Sequence, residues 1–131
     1  METKFNFKSA ICTSRSQSER LLALGLKRET ADMRYDCIGR MSDTEMIYRE
    51  KPIIGPVISY YDIPAWSLHR LIFLTNTNDI KIAFNEKDCW GGDICRFSQR
   101  KVFEKDNLYD NLCDCFDWLI KEGYFNKEYL V

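Results

Sequence analysis

Asp106-Asn107-Leu108-Tyr109-Asp110-Asn111-Leu112-Cys113-Asp114-Cys115-Phe116-Asp117-Trp118-Leu119-Ile120-Lys121-Glu122 is the stretch that decides the fold. Leu108, Leu112, Cys115, Phe116 and Leu119 recur at steps of three and four, which sets them on one stripe of an α-helix. Asp110, Asp114 and Asp117 fall at i, i+4 and i+7 on the other side, so one face is expected in a core and the other in water. The ends are marked as well. Asp106 or Asn107 can accept from the first unpaired N–H groups, and Gly123 can take the left-handed conformation that stops a helix, folding Tyr124 back onto Leu119.

The same punctuation recurs upstream. Ser14 with Gln17, or Ser16 with Glu19, has capping-box spacing ahead of Arg20-Leu21-Leu22-Ala23-Leu24, and Gly25 ends that helix with Leu26 set to pack on Leu21. Between Lys27 and Tyr61 the pattern weakens; Ala31 to Met41, Glu45 to Arg49 and Val57 to Tyr61 are the expected strands. Pro52 and Pro56 mark this part as an edge or an excursion. A short helix is expected from about Tyr61 to Leu74, with Asp62 or Ser67 as cap. From Asp79 the period becomes two: Ile80, Ile82 and Phe84 read as a strand, Cys89 to Asp93 as a turn, Ile94 to Gln99 as its partner, and Lys101 to Phe103 as a third segment. The order predicts a single α+β domain over 1–131, a small antiparallel sheet with about three helices packed on one face.

A chain of 131 residues is expected to bury roughly two-thirds of its unfolded surface. With 45% apolar and 30% charged residues, a disordered chain is excluded. No apolar run exceeds four residues, as in Leu71-Ile72-Phe73-Leu74, against the roughly 20 that span a bilayer. Met1 to Lys8 carries charges with no apolar segment behind it, which predicts no secretory signal and a cytoplasmic protein. Cys12, Cys37, Cys89, Cys95, Cys113 and Cys115 then read as reduced thiols serving as small apolar residues. Cys113 and Cys115 point about 160° apart on a helix and are poorly placed to bond each other.

Formal net charge is −1, so no global field favours nucleic acid or an anionic membrane. The distribution is uneven: residues 1–28 carry +4 and residues 104–131 carry −4. The first and last helices are expected to lie near each other, with head-to-tail self-association as the alternative.

In Ile63-Pro64-Ala65-Trp66-Ser67-Leu68, Ser18 to Leu26, Thr30-Ala31-Asp32-Met33 and Trp118 to Tyr124, the chain resembles small uncharacterised proteins of gut Bacteroidales and their prophages or mobile elements. The resemblance spans most of the chain, least well from Arg34 to Val57. It implies a mobile-element context and supplies no catalytic residues.

Candidate chemistry is sparse. His69 is the sole histidine, and no Cys-x-x-Cys pair accompanies it, so neither a zinc site nor a Cys–His nucleophile has local support. The acidic stripe Asp110, Asp114 and Asp117 has oxygen ligands for a hard cation, yet Lys121 stands four residues after Asp117 and is expected to pair with it. No phosphate-binding or nucleophile-elbow motif is present. No catalytic residue, cofactor or metal is therefore assigned. Trp66, Trp118, Tyr109 and Tyr124, with Tyr60 and Tyr61, form the candidate aromatic patch for a protein partner or a second copy of the chain, since such rings dominate interface energetics. The alternative is a nucleic-acid face on the hairpin, with Trp90, Arg96, Phe97, Arg100 and Lys101 supplying stacking and phosphate neutralisation. The leading expectation is a small non-catalytic protein-interaction module.

Overall fold

The computed structural model describes residues 10–75, 79–84, 90–96, 99–105 and 107–131, the three segments between 79 and 105 as a backbone ladder. Helix α1 spans Arg15–Ala23; a 3-10 turn follows at Arg28–Thr30. Strands β1 Met33–Tyr35, β2 Cys37–Arg40, β3 Met46–Tyr48, β4 Ile53–Ile54 and β5 Ile63–Ala65 precede helix α2, Leu68–Leu74. Strands β6 Asp79–Phe84, β7 Trp90–Arg96 and β8 Gln99–Lys105 lead into α3, Leu108–Lys121, and a last 3-10 turn, Lys127–Tyr129. The class is α+β, as the sequence predicts. The single sheet is a correction: the strands form three antiparallel ladders, ordered β4-β1-β5, β2-β3 and β6-β7-β8.

Local chemistry explains the helix ends. Ser14 and Gln17 form the capping box of α1, and Asn107 accepts from the N–H groups of Tyr109 and Asp110 to start α3. At the C-terminus of α3, Gly123 takes a φ of 76°, where a side chain is rarely found, and the Tyr124 N–H returns to the Leu119 carbonyl at 2.9 Å. Helix α1 closes in the same way at Gly25, with the Leu26 N–H bonded to the Leu21 carbonyl.

The weakly patterned middle departs most from expectation. Ala31 to Met41 is broken at Asp36 into β1 and β2, which belong to different ladders. Asp36 accepts from Arg34 Nε at 2.6 Å, while the Cys37 N–H leaves the ladder for a carboxylate oxygen of Asp62. Val57 to Tyr61 is a turn rather than a strand, while the helix expected to run to about Leu74 takes the later of its two candidate caps, Ser67, and spans Leu68–Leu74. Before it, Ile63–Ala65 is a strand at a sheet edge, where Pro64 needs no N–H for an outer neighbour. Trp90 to Asp93, expected in a turn, belong to β7, the central strand of its ladder.

Two apolar clusters organise the described residues. The larger joins Leu21 of α1, Leu71 and Leu74 of α2, and Leu112, Cys115, Phe116 and Leu119 of α3, with Leu26, Trp66 and Phe125. The smaller joins Cys12, Met33, Tyr35 and Ala65 under the β4-β1-β5 sheet. Cys113 is also buried, so α3 is enclosed over a wider arc than its five-residue stripe.

The acidic stripe keeps the expected Asp117–Lys121 pair, but its placement on a wetted face is corrected. Asp110 accepts from Gln17 Nε2 at 2.7 Å, Asp114 from Arg20 at 2.7 Å, and Asp117 faces Arg20 at 3.5 Å and Lys121 at 2.7 Å. The stripe is the polar margin along which α1 docks. Helices α1 and α3, drawn from the oppositely charged ends, thus lie side by side within one chain.

Replacement of Trp66 by alanine is expected to cost about 3–5 kcal/mol in urea unfolding, through the void it leaves. Replacement by phenylalanine is expected to cost less. The Lys121 hydrogen bond, with Arg20 beyond it, holds the Asp117 carboxyl below its ordinary value of 3.8. The fold therefore favours the ionised form: the contribution is complete above pH 3.8 and fades as pH falls through the lowered folded value. Urea midpoints measured from pH 7 downward are expected to drop less steeply below that point in Asp117→Asn than in the parent chain.

Candidate interaction surface

The segment from Ile54 to Asp62 owes its shape to polar groups supplied from elsewhere in the chain. Gly55, at a φ of 135°, donates its N–H to the Asp32 carbonyl at 2.8 Å. A Cβ there would stand 2.8 Å from Arg34 Nη1, the movable end of a side chain, so it is the backbone conformation that calls for glycine. Arg34 Nη1 in turn donates to the Pro56 carbonyl. At the other end Asp62, only 3% exposed, accepts from the Cys37 and Ser59 N–H groups at 3.0 and 3.1 Å. Arg28 Nη2 meets the carbonyls of Ser59, Tyr60 and Asp62 at 3.1, 3.0 and 2.9 Å. A buried carboxylate and a guanidinium thus satisfy a turn that has no ladder of its own.

On this frame the side chains point outward. Ile54 is 83% exposed, Ile58 76%, Tyr60 84% and Tyr61 44%. The two tyrosine rings meet edge to face with centroids 5.6 Å apart. Arg28 lies over Tyr60 at 5.8 Å and Arg40 over Tyr61 at 5.4 Å, with Arg40 Nη2 donating to the Tyr61 hydroxyl at 3.3 Å. A recess of about 300 Å³ opens beside them, lined by Arg28, Glu29, Val57, Ile58 and Tyr60 among others. Arg40 ties this surface to the β2-β3 hairpin, whose Ile38, Met41 and Ile47 are exposed as well.

The aromatic residues expected to form one patch separate into three environments. Trp66 is fully buried: its backbone N–H and indole N–H donate to Thr13 Oγ1 and Thr30 Oγ1 at 3.1 and 3.0 Å. Tyr109 is also buried, its hydroxyl donating to the Ala10 carbonyl at 3.2 Å. Both anchor the core, which corrects their placement in a surface patch. Trp118 and Tyr124 do come together, ring centroids 5.5 Å apart and half-buried against the helical cluster. Tyr60 and Tyr61 alone of the set stand on an exposed apolar surface. Ile54, Ile58, Arg28 and Arg40, which complete it, are not singled out by sequence; the available signal is a stretch rich in apolar residues but without period, Ile53 to Tyr61, interrupted by Gly55, Pro56 and Ser59.

On the hairpin, the backbone register pairs Ile94 with Lys101 and Cys95 with Arg100. Trp90, Arg96 and Lys101 hold positions of one face of the ladder, and Arg100 a position of the other, which divides the candidate nucleic-acid set. Phe97 lies outside the described residues.

Nucleophile chemistry is disfavoured at three thiols. Burial pushes Cys12 up from its ordinary value and pushes Cys113 and Cys115 up to about 12, so none carries appreciable thiolate near neutrality. His69 is exposed on α2. Among the described residues no group of three or more His, Cys, Asp or Glu side chains could hold a metal ion, and no helix is long and apolar enough to cross a membrane.

No protein-family model matches the chain, and neither a curated protein nor a solved structure matches it.

Asp62→Ala strips the Cys37 and Ser59 N–H groups of their acceptor and is expected to cost about 1–3 kcal/mol. Amide exchange at 37 and 59 should accelerate beyond that of the α3 amides. Asp62→Asn, which keeps a carbonyl oxygen, should cost less.

Proposed function

We propose that this chain is a non-catalytic interaction module that engages a protein partner through the Ile54–Tyr61 surface. One observation carries the reading: four exposed apolar or aromatic side chains stand on a turn whose backbone is fixed by Arg28, Arg34 and Asp62. Clustered apolar exposure marks interaction sites, and a surface already held in shape loses little conformational freedom on binding. Strand pairing is not the mode: β4 is two residues long and bracketed by Pro52 and Pro56, so recognition runs through side chains. Free thiols at Cys12, Cys37, Cys113 and Cys115 support a reducing, cytoplasmic setting. The prophage or mobile-element origin belongs to this proposal on the strength of the sequence blocks alone.

The test is photocrosslinking in cells with benzoylphenylalanine at position 58 and, as control, at exposed position 122. A discrete protein adduct, resistant to nuclease and formed at 58 but not at 122, is the expected result. Equal labelling at both positions, no adduct, or an adduct lost on nuclease treatment overturns the reading.

A further inference from the structure

The rim of this surface carries a chemical bias. Arg28 and Arg40 hold their guanidinium groups against Tyr60 and Tyr61, and among the described residues neither is in an ion pair with a carboxylate. Arg28 spends donors on three turn carbonyls. Arg40 is different: it is exposed, and its hydrogen bond goes to the Tyr61 hydroxyl, which accepts and so keeps its own O–H to give. Guanidinium N–H and phenol O–H thus converge at one point of the surface, and the Tyr61 ring joins that point to Tyr60, which lines the 300 Å³ recess. That donor set fits a carboxylate. Glu29 lines the recess and repels a second acidic group there, so the complementary ligand places its apolar side chain in the recess and its carboxylate towards Arg40.

We propose that the partner presents a short acidic and apolar peptide segment: an Asp or Glu side chain received by Arg40 and Tyr61, with a neighbouring Leu, Ile or Phe side chain seated against Val57, Ile58 and Tyr60. The inference rests on the interaction-module reading and adds the chemistry of the segment recognised. A polyanion is the weaker occupant, because the chain's net charge is −1 and Glu29 stands at the recess itself.

The test begins with a random 12-residue phage-displayed peptide library panned on the full chain. The recovered sequences are then synthesised and titrated by fluorescence polarisation, beside a single-stranded 12-nucleotide DNA. Recovered peptides should carry Asp or Glu within a few residues of a large apolar side chain. Their affinity should fall about tenfold or more in Arg40→Glu and in Ile58→Asp, and only partly in Arg40→Lys, with the thermal midpoint of each variant close to that of the parent. Binding should also weaken with added salt. Basic or neutral peptides, undiminished binding by Arg40→Glu, or tighter binding of the DNA overturns the proposal. A position-58 adduct together with charge-blind peptides overturns the acidic segment and leaves the interaction module standing. No adduct and no recovered peptide overturns both.

Discussion

The burial of Trp66 is the constraint on which the other parts depend. An indole removed from water must still satisfy its N–H, and Thr30 Oγ1 does so at 3.0 Å while donating its own proton to the Lys27 carbonyl. Thr13 bonds both backbone groups of Trp66, its N–H to the carbonyl and its hydroxyl oxygen to the N–H. Three sequence-distant pieces are thereby fixed: the segment before α1, the 3-10 turn, and the link from β5 to α2 that carries Trp66. Arg28 opens the same 3-10 turn as Thr30, so the guanidinium that holds Ser59, Tyr60 and Asp62 is registered to the core through two residues of chain. The exposed surface inherits its geometry from a buried ring.

What the sequence reveals follows from how local each determinant is. Helices α1 and α3 were legible because their periodicity, caps and terminal glycines act within a turn or two. The opposite charges of the chain ends correctly implied adjacency of those helices, yet the partners were hidden: Gln17 and Asp110 are 93 residues apart, and Arg20 and Asp114 are 94. An acidic stripe in isolation therefore reads as a wetted face, although here it is the seam between two helices. Residues 27–61 were opaque for a different reason. Strands of two to four residues have too few alternations to show a period, and their boundaries are set by side chains such as Asp36 and Asp62 rather than by pattern.

The aromatic residues show the same limit at the level of function. Tryptophan and tyrosine combine a large apolar body with one donor, which suits a core and an interface equally. Only the position of a partner decides. Thr30 took the indole of Trp66 inward and Ala10 the hydroxyl of Tyr109; nothing in the spacing of those residues separates them from Tyr60 and Tyr61, which stayed outside.

That outward position runs against the simplest driving force. Drawing Ile54 and Ile58 fully into apolar contact would favour a collapsed loop by about 1.5–3 kcal/mol per side chain. Opposing it is a set of bonds that collapse would break: Asp62, whose nearly buried carboxylate is tolerable only while the Cys37 and Ser59 N–H groups stay in reach; the three carbonyls on Arg28; and the Gly55 N–H on the Asp32 carbonyl. These groups lie on separate segments, so the turn cannot fold inward without losing several of them at once. Exposure of the isoleucines and tyrosines is thus a consequence of how the turn is fastened, and the same fastening leaves Arg40 and the Tyr61 hydroxyl directed at solvent with donors to offer.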